Sequence, residues 1–176
     1  MKFTIDLSSL TSPRLHFRQL NINDVDALME FFNSSEALKF FPTLKVGERQ
    51  EAINWITRMG KRYEMHGVGL WALTDKQTGA FIGQCGLLVQ DIDGNTELEI
   101  GYSLNPSSWG KGYATEAAMA CKKYVMENKL VPSIISIIHV DNVPSQKVAE
   151  RNGMQRTKQV VWWDMPVYIY RITGND

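Results

Sequence analysis

Little in this chain invites metal or redox chemistry. Cys85 and Cys121 are its only cysteines, and His16, His66 and His139 its only histidines. They are too scattered to share a metal-ligand spacing, so no metal is expected. Charge of either sign is equally unremarkable in amount: 19 Lys+Arg against 19 Asp+Glu leave a formal net charge of zero. A free-standing nucleic-acid binder carries a basic surplus, so direct contact with nucleic acid is not expected either. No apolar run approaches the roughly 18 residues of a membrane span. Met1-Lys2-Phe3-Thr4-Ile5-Asp6 opens without the apolar core of a signal peptide. Repeats, low-complexity tracts and linkers are missing too. These absences describe a cytoplasmic protein with no membrane partner. Its 176 residues fit a single domain, 1–176, with 1–11 as a lead-in segment.

What is present is concentrated in residues 97–118. Ile100, Tyr102 and Leu104 alternate with Glu99, Gly101 and Ser103, the period-two pattern of a strand. Pro106 has no N–H for a ladder and turns Asn105 away from helix, which ends the strand. Beyond Ala114, the positions Ala117, Ala118, Cys121, Tyr124 and Val125 recur at helical steps. Between strand and helix stands Trp109-Gly110-Lys111-Gly112-Tyr113. Two glycines one residue apart let the backbone turn tightly and let a ligand approach. The helix aims free N–H groups and its positive dipole end back at that turn. Such a construction receives phosphate or pyrophosphate. It is no Walker loop, lacking the Gly-Lys-Ser/Thr ending. Nor is it a dinucleotide fingerprint, since Thr115 stands where a third glycine belongs. A helix-entry turn without ligand remains the plainer alternative on these residues alone.

The rest of the chain reads as alternating short elements. Residues 15–20 alternate as a first strand, and Asn23 or Asp24 then caps a helix with the face Val25, Leu28, Met29 and Phe32. Phe40-Phe41-Pro42 is an apolar turn. Residues 48–66 form a second helix with Ala52, Trp55, Ile56 and Met59 on one stripe. Residues 69–74 and 80–89 pair as a hairpin, and a second turn, Asp91-Ile92-Asp93-Gly94-Asn95, leads into the strand at 97–104. That turn has a calcium-like spelling, but it lacks the terminal glutamate and flanking helices of a calcium loop. Residues 134–140 are a strand apolar on both faces, as a buried parallel strand is. Asn142 to Met154 reads as cap, short helix and terminal glycine. Strands at 157–163 and 167–172 flank a turn at Asp164-Met165-Pro166.

Glu99-Ile100-Gly101-Tyr102, followed by Trp109-Gly110-Lys111-Gly112-Tyr113-Ala114-Thr115-Glu116-Ala117, resembles the acetyl-CoA-binding core of the GNAT N-acetyltransferases. Within that superfamily it is most similar to the RimJ/RimL branch, which acetylates ribosomal-protein N-termini. Residues 12–24 resemble the opening of that branch. Asn142-x-x-Ser145, closed by Glu150-x-x-Gly153-Met154, is similar to its second block, so the likeness covers about residues 12–172. One departure is Ser107, where the pattern has Gln or Arg, which removes one contact to the pyrophosphate.

The resemblance implies an α/β (α+β) fold: a twisted, mixed, mostly antiparallel sheet with flanking helices and a splayed parallel strand pair. It implies acetyl-CoA as cosubstrate, lying in the splay against Tyr102, Ser103, Leu104, Trp109, Gly110, Lys111, Gly112, Tyr113, Ala114 and Asn142. The acceptor is an amine, expected to be the α-amine of a protein or peptide N-terminus, attacking directly in a ternary complex. Glu99 matches the glutamate that accepts the amine proton, with Glu97 on the same face as its substitute. Ser145 matches a serine placed by the thiol, while its plainer reading is a first-turn helix residue. The superfamily's commoner tyrosine acid has no counterpart, since Ala149 and Glu150 occupy its places. Asp91, Asp93, Glu97 and Glu99 together offer a field for a basic peptide. Two alternatives stay open: a small-molecule amine acetyltransferase, acting on a polyamine, aminoglycoside or amino acid, and a non-catalytic acyl-CoA-binding protein.

Overall fold

Among residues 1–174, which the computed structural model describes, seven strands form one sheet. They are β1 (Leu15–Gln19), β2 (Leu70–Asp75), β3 (Phe81–Ile92), β4 (Asn95–Leu104), β5 (Ser133–His139), β6 (Gln155–Trp162) and β7 (Met165–Thr173). Their spatial order is β1-β2-β3-β4-β5-β7-β6. Every neighbouring pair is antiparallel except β4 with β5, which is parallel. The mixed, mostly antiparallel sheet is therefore the expected one.

Side chains alternate across a strand, so each face can bury its own core. On one face lie α1 (Val25–Phe32), α2 (Ser35–Leu38) and α3 (Arg49–His66), whose Phe32, Leu38, Ala52 and Ile56 pack with Leu70 and Ala72 of β2. On the other lie α4 (Tyr113–Glu127) and α5 (Val143–Arg151), whose Ala117, Cys121, Val125 and Val148 pack with Leu98, Ile100 and Ile134. The molecule is thus helix, sheet and helix in three layers.

Local chemistry sets three boundaries. Asp24 is the N-cap of α1, as expected, but makes no side-chain cap bond to it. The capping chemistry belongs to the 3₁₀ turn Ile22–Asp24 just before, where the Asn21 side chain accepts the Asn23 N–H at 3.0 Å while Asp24 accepts the Asn21 N–H at 2.9 Å. Asp24 is itself held at 2.6 Å by Arg18, and the buried face of α1 takes in Phe31 while Met29 is only partly buried. The β3–β4 turn is Asp93-Gly94, both with positive φ (53° and 77°), a two-residue hairpin turn. Here Asp91 accepts the Gly94 N–H at 3.1 Å, so its carboxylate serves the turn. The β6–β7 turn is Trp163-Asp164, one residue earlier than expected, with φ of 51° and 60°. Met165 and Pro166 are therefore paired residues of β7.

The parallel pair holds a single ladder match, Glu99 with Ile135. Just beyond it the Ser136 hydroxyl donates to the Ile100 carbonyl at 2.9 Å, and from there β4 and β5 diverge.

Candidate active site

A cavity of about 300 Å³ occupies that divergence. Its walls are Gly101–Ser103 from β4 and Ser136–His139 from β5. The segment 40–44, α3 and the tip of the β6–β7 hairpin close over it. Glu99, Ile137 and His139 belong to the sheet face under α3, whereas Tyr102, Ser136 and Ile138 belong to the face under α4 and α5. The cavity therefore passes through the sheet and joins its two faces.

On the α3 side, Glu99 is only 7% exposed. Its Oε2 accepts from Gln90 Nε2 at 2.7 Å and its Oε1 from the Ile137 N–H at 3.4 Å. Burial pushes its pKa up, and the bonds from Gln90 and Ile137 and the charge of Arg62 offset this only in part. Glu97 has a different fate: the Arg171 fork grips it at 2.5 and 3.1 Å, and it does not line the cavity. Asp93 is paired with Lys158 at 2.5 Å. Of the acidic cluster seen in the sequence, Asp93 and Glu97 are thus paired with cations and Glu99 is buried, while Asp91 stays exposed at the turn.

On the α5 side, Asn142 caps the helix by accepting the Ser145 N–H at 3.2 Å. Both residues line the cavity, and the Tyr102 hydroxyl donates to the Ser145 carbonyl at 2.9 Å. Burial pushes the Tyr102 pKa far up, which keeps this donor protonated. Ser103 also faces the cavity, its hydroxyl accepting from Gln84 at 2.9 Å, while Gln84 accepts from the Trp55 indole at 2.8 Å.

The structure does not bring every candidate to this cavity. Leu104 buries its side chain in the core, and its carbonyl accepts the Trp109 indole N–H at 2.8 Å. Trp109, Gly110, Lys111, Gly112, Tyr113 and Ala114 form a separate turn at the head of α4, outside the cavity lining. Gly110 and Gly112 both have positive φ (72° and 80°), which explains two glycines where the sequence has them. The Lys111 ammonium donates to the Ser107 carbonyl at 2.7 Å. Arg14 covers the Tyr113 ring at 4.3 Å and pairs with Glu116 at 2.6 Å. Glu116 also takes the Ser12 hydroxyl and the Arg14 N–H, so the head of α4 is fastened to the chain entering β1.

Several cavity residues escaped sequence reasoning. Gln90 was accessible in principle: a two-residue Asp93-Gly94 turn sets Gln90 opposite Glu97, diagonal to Glu99. Arg58, Arg62, His139 and Trp162–Trp163 carry no motif, and only tertiary packing assembles them. His139 stacks on Phe40 with centroids 4.9 Å apart, and its Nδ1 accepts the Asp141 N–H at 3.1 Å.

A parallel pair parted by a through-sheet cavity, beside a glycine turn heading a helix, defines a class of acyl-group transferase. The Acetyltransferase (GNAT) domain family matches residues 14–155. The chain belongs to that family and is an acetyl-CoA-dependent acetyltransferase. Over 165 residues it is 35% identical to the uncharacterized protein YkkB of Bacillus subtilis (strain 168), covering 93% of this chain and 94% of the relative. The crystal structure of an acetyltransferase from Agrobacterium tumefaciens superposes with a TM-score of 0.79 at 25% identity, covering 98% of this chain and 96% of that one. The RimL ribosomal L7/L12 alpha-N-protein acetyltransferase, solved with coenzyme A, has the same fold: TM-score 0.74, 18% identity, and 92% and 95% of the two chains covered. Among the described residues no helix is long and apolar enough to cross a membrane.

Proposed function

We propose that this enzyme acetylates the α-amine of a protein or peptide N-terminus in the cytoplasm, by direct attack on acetyl-CoA in a ternary complex. The observation that carries the reading is the cavity joining the two sheet faces, with Glu99 on one side and Asn142 and Ser145 on the other. Past Glu99 the β4–β5 ladder holds no further pair, and an extended amide chain supplies hydrogen-bond partners there as an added strand does. The glycine turn and the N–H groups of α4 suit the pyrophosphate.

Four roles follow. Glu99, directly or through one water, takes a proton from the amine, whose nitrogen then bonds to the thioester carbon. Burial raises the affinity of Glu99 for that proton, which brings its basicity nearer the working pH. A backbone N–H within residues 102–104 receives the oxyanion. As the carbon–sulfur bond breaks, the Ser145 hydroxyl donates a hydrogen bond or a proton to the leaving thiolate, any proton given being replaced from solvent. Glu97 has no part, being committed to Arg171. Likeness in fold to RimL is consistent with a protein N-terminus as acceptor.

The test is release of CoA thiol, followed with a thiol reagent, across peptides with free N-termini, lysine side chains and polyamines. Release with N-terminal amines is the expected result. Preference for lysine or polyamine overturns the α-amine reading, and acetyl-CoA binding without release for any amine overturns transfer itself.

A further inference from the structure

The charge on the cavity wall points to the chemistry of the acceptor. Arg58 and Arg62 stand four residues apart on α3, hence on the same side of the helix, and both line the cavity. Among the described residues neither has a carboxylate within ion-pair distance, whereas Arg14, Arg18, Arg49 and Arg171 each do. Arg62 is half-buried, its one hydrogen bond running to the Val89 carbonyl at 3.3 Å. Arg58 lies over the Trp55 ring at 5.1 Å and is exposed. Against these two guanidiniums the wall sets one carboxylate, Glu99, whose charge Arg62 feels. Two like charges one helical turn apart repel, and half-burial with only a neutral carbonyl bonded to it is costly for a cation.

Such a wall repels a polycation and leaves forked donors for an anion. Resting on the acetyl-transfer reading above, we infer that the acceptor carries a carboxylate in the same molecule as its amine, with Arg58 and Arg62 holding the carboxylate while the amine faces Glu99. The carboxylate belongs to a free amino acid or to an acidic side chain close behind a peptide N-terminus. The guanidiniums also favour the neutral over the protonated amine, which is the form that attacks. They are specificity residues, separate in role from Glu99.

The test compares acceptors that differ only in the anion. A free amino acid is set against its amide, and a peptide with Asp-Asp after its first residue against one with Asn-Asn, with spermidine as the polycation. Initial rates of CoA release give kcat/KM. Calorimetry of the same compounds on CoA-loaded protein gives binding independently of turnover. The acid is expected to exceed its uncharged match by at least about ten-fold, mainly through KM. At neutral pH this is a stringent comparison, because the amide has the less basic amine. Which pair shows the larger ratio identifies the source of the carboxylate. Arg62→Gln should bring the ratio to about one, Arg62→Lys should retain part of it, and Arg58→Gln should lower it. Arg58 is exposed, so its replacement reads out specificity even where Arg62→Gln loosens the fold. Anion-selective binding without turnover upholds the carboxylate site at Arg58 and Arg62 and overturns transfer. Turnover with equal acid and amide, or with spermidine favoured, overturns the acceptor assignment and leaves transfer standing.

Discussion

Glu99 and Glu97 sit two positions apart on one face of β4, and nothing nearby in sequence separates them. The difference comes from Arg171, far along the chain, which β7 delivers opposite Ile135 and within reach of Glu97 alone. Glu99 keeps only neutral donors, Gln90 and the Ile137 N–H, and burial raises its pKa. Two consequences are measurable. In Glu99→Gln the rate of acetyl transfer should fall at neutral pH and recover partly as pH rises toward the amine's own pKa; an unchanged pH–rate profile removes Glu99 as the base. Stability should respond as well. A carboxyl with a raised folded-state pKa binds more protons folded than unfolded, so its contribution is full below the unfolded pKa and is lost as pH rises through the folded one. Thermal melts should therefore show Glu99→Gln gaining on the wild type as pH increases across that window, and a constant difference would contradict the buried-charge account. Ser145 and Asn142 separate in the same way. Ser145→Ala should lower kcat about 10–100-fold with little change in acetyl-CoA affinity, the pattern of a contact made in the transition state. Asn142→Ala removes the cap on the Ser145 N–H, at a cost of about 1 kcal/mol and a melting temperature lower by roughly 2–4 °C. If Ser145→Ala melts early and keeps its kcat, the serine is part of the helix start only.

The turn from residue 109 to 113 and the helix it heads act as one unit, and the structure shows why the glycines can be tested cleanly. A Cβ at Gly110 meets nothing within 4 Å, and one at Gly112 meets only Arg14 Nη2 at 3.6 Å. Steric overlap within the protein is therefore minor, and what remains is the positive φ, costing about 1–2 kcal/mol for a side chain. Gly110→Val and Gly112→Val should fold with modestly lower melting temperatures. On the proposed placement of the pyrophosphate against this turn, calorimetry should show acetyl-CoA binding weaker by about 2–4 kcal/mol, because the branched side chain would then stand in its way. Unchanged affinity in folded Gly112→Val removes the pyrophosphate from this turn. These elements were legible because their signals are local. Asp93-Gly94 reads as a hairpin turn since Asp and Gly tolerate the left-handed region. Trp163-Asp164 adopts the same geometry without that signal, because a tryptophan at φ 51° announces nothing, and Pro166 drew the expected turn one residue late. Asp24 is legible as the N-cap of α1, whereas the 3₁₀ turn Ile22–Asp24 and its own cap, Asn21, carry no periodic signal that separates them from the helix.

The whole molecule is organised by one discontinuity in its sheet. Alternating and β-branched patterns along the chain were enough to identify the strands, and the family resemblance implied the parallel pair. They say nothing of how α3 and the β6–β7 hairpin meet over the gap, so Arg58, Arg62 and Trp162–Trp163 emerged only with the structure. A ligand filling that gap bridges the two halves of the sheet and binds the folded state alone. At a hundred-fold excess over its Kd, acetyl-CoA should add about 2.7 kcal/mol, a rise in melting temperature of roughly 5–10 °C. The proposed preference for an α-amine rests on proton affinities. Deprotonating an α-amine of pKa near 8 at pH 7 costs only about 1.4 kcal/mol, whereas a lysine ε-amine near 10.4 costs about 4.6. One buried glutamate, with Arg62 beside it favouring the neutral amine, suits the first cost and not the second. Peptides of one sequence, with either the N-terminus or the lysine blocked, should therefore differ in kcat/KM by about two orders of magnitude at pH 7. The gap should narrow as pH rises, because the lysine amine loses its proton without help while the α-amine is already neutral. A lysine-only peptide that matches its N-terminal counterpart at pH 7 would show that proton removal does not limit the reaction, and the case for α-amine selectivity would fall with it.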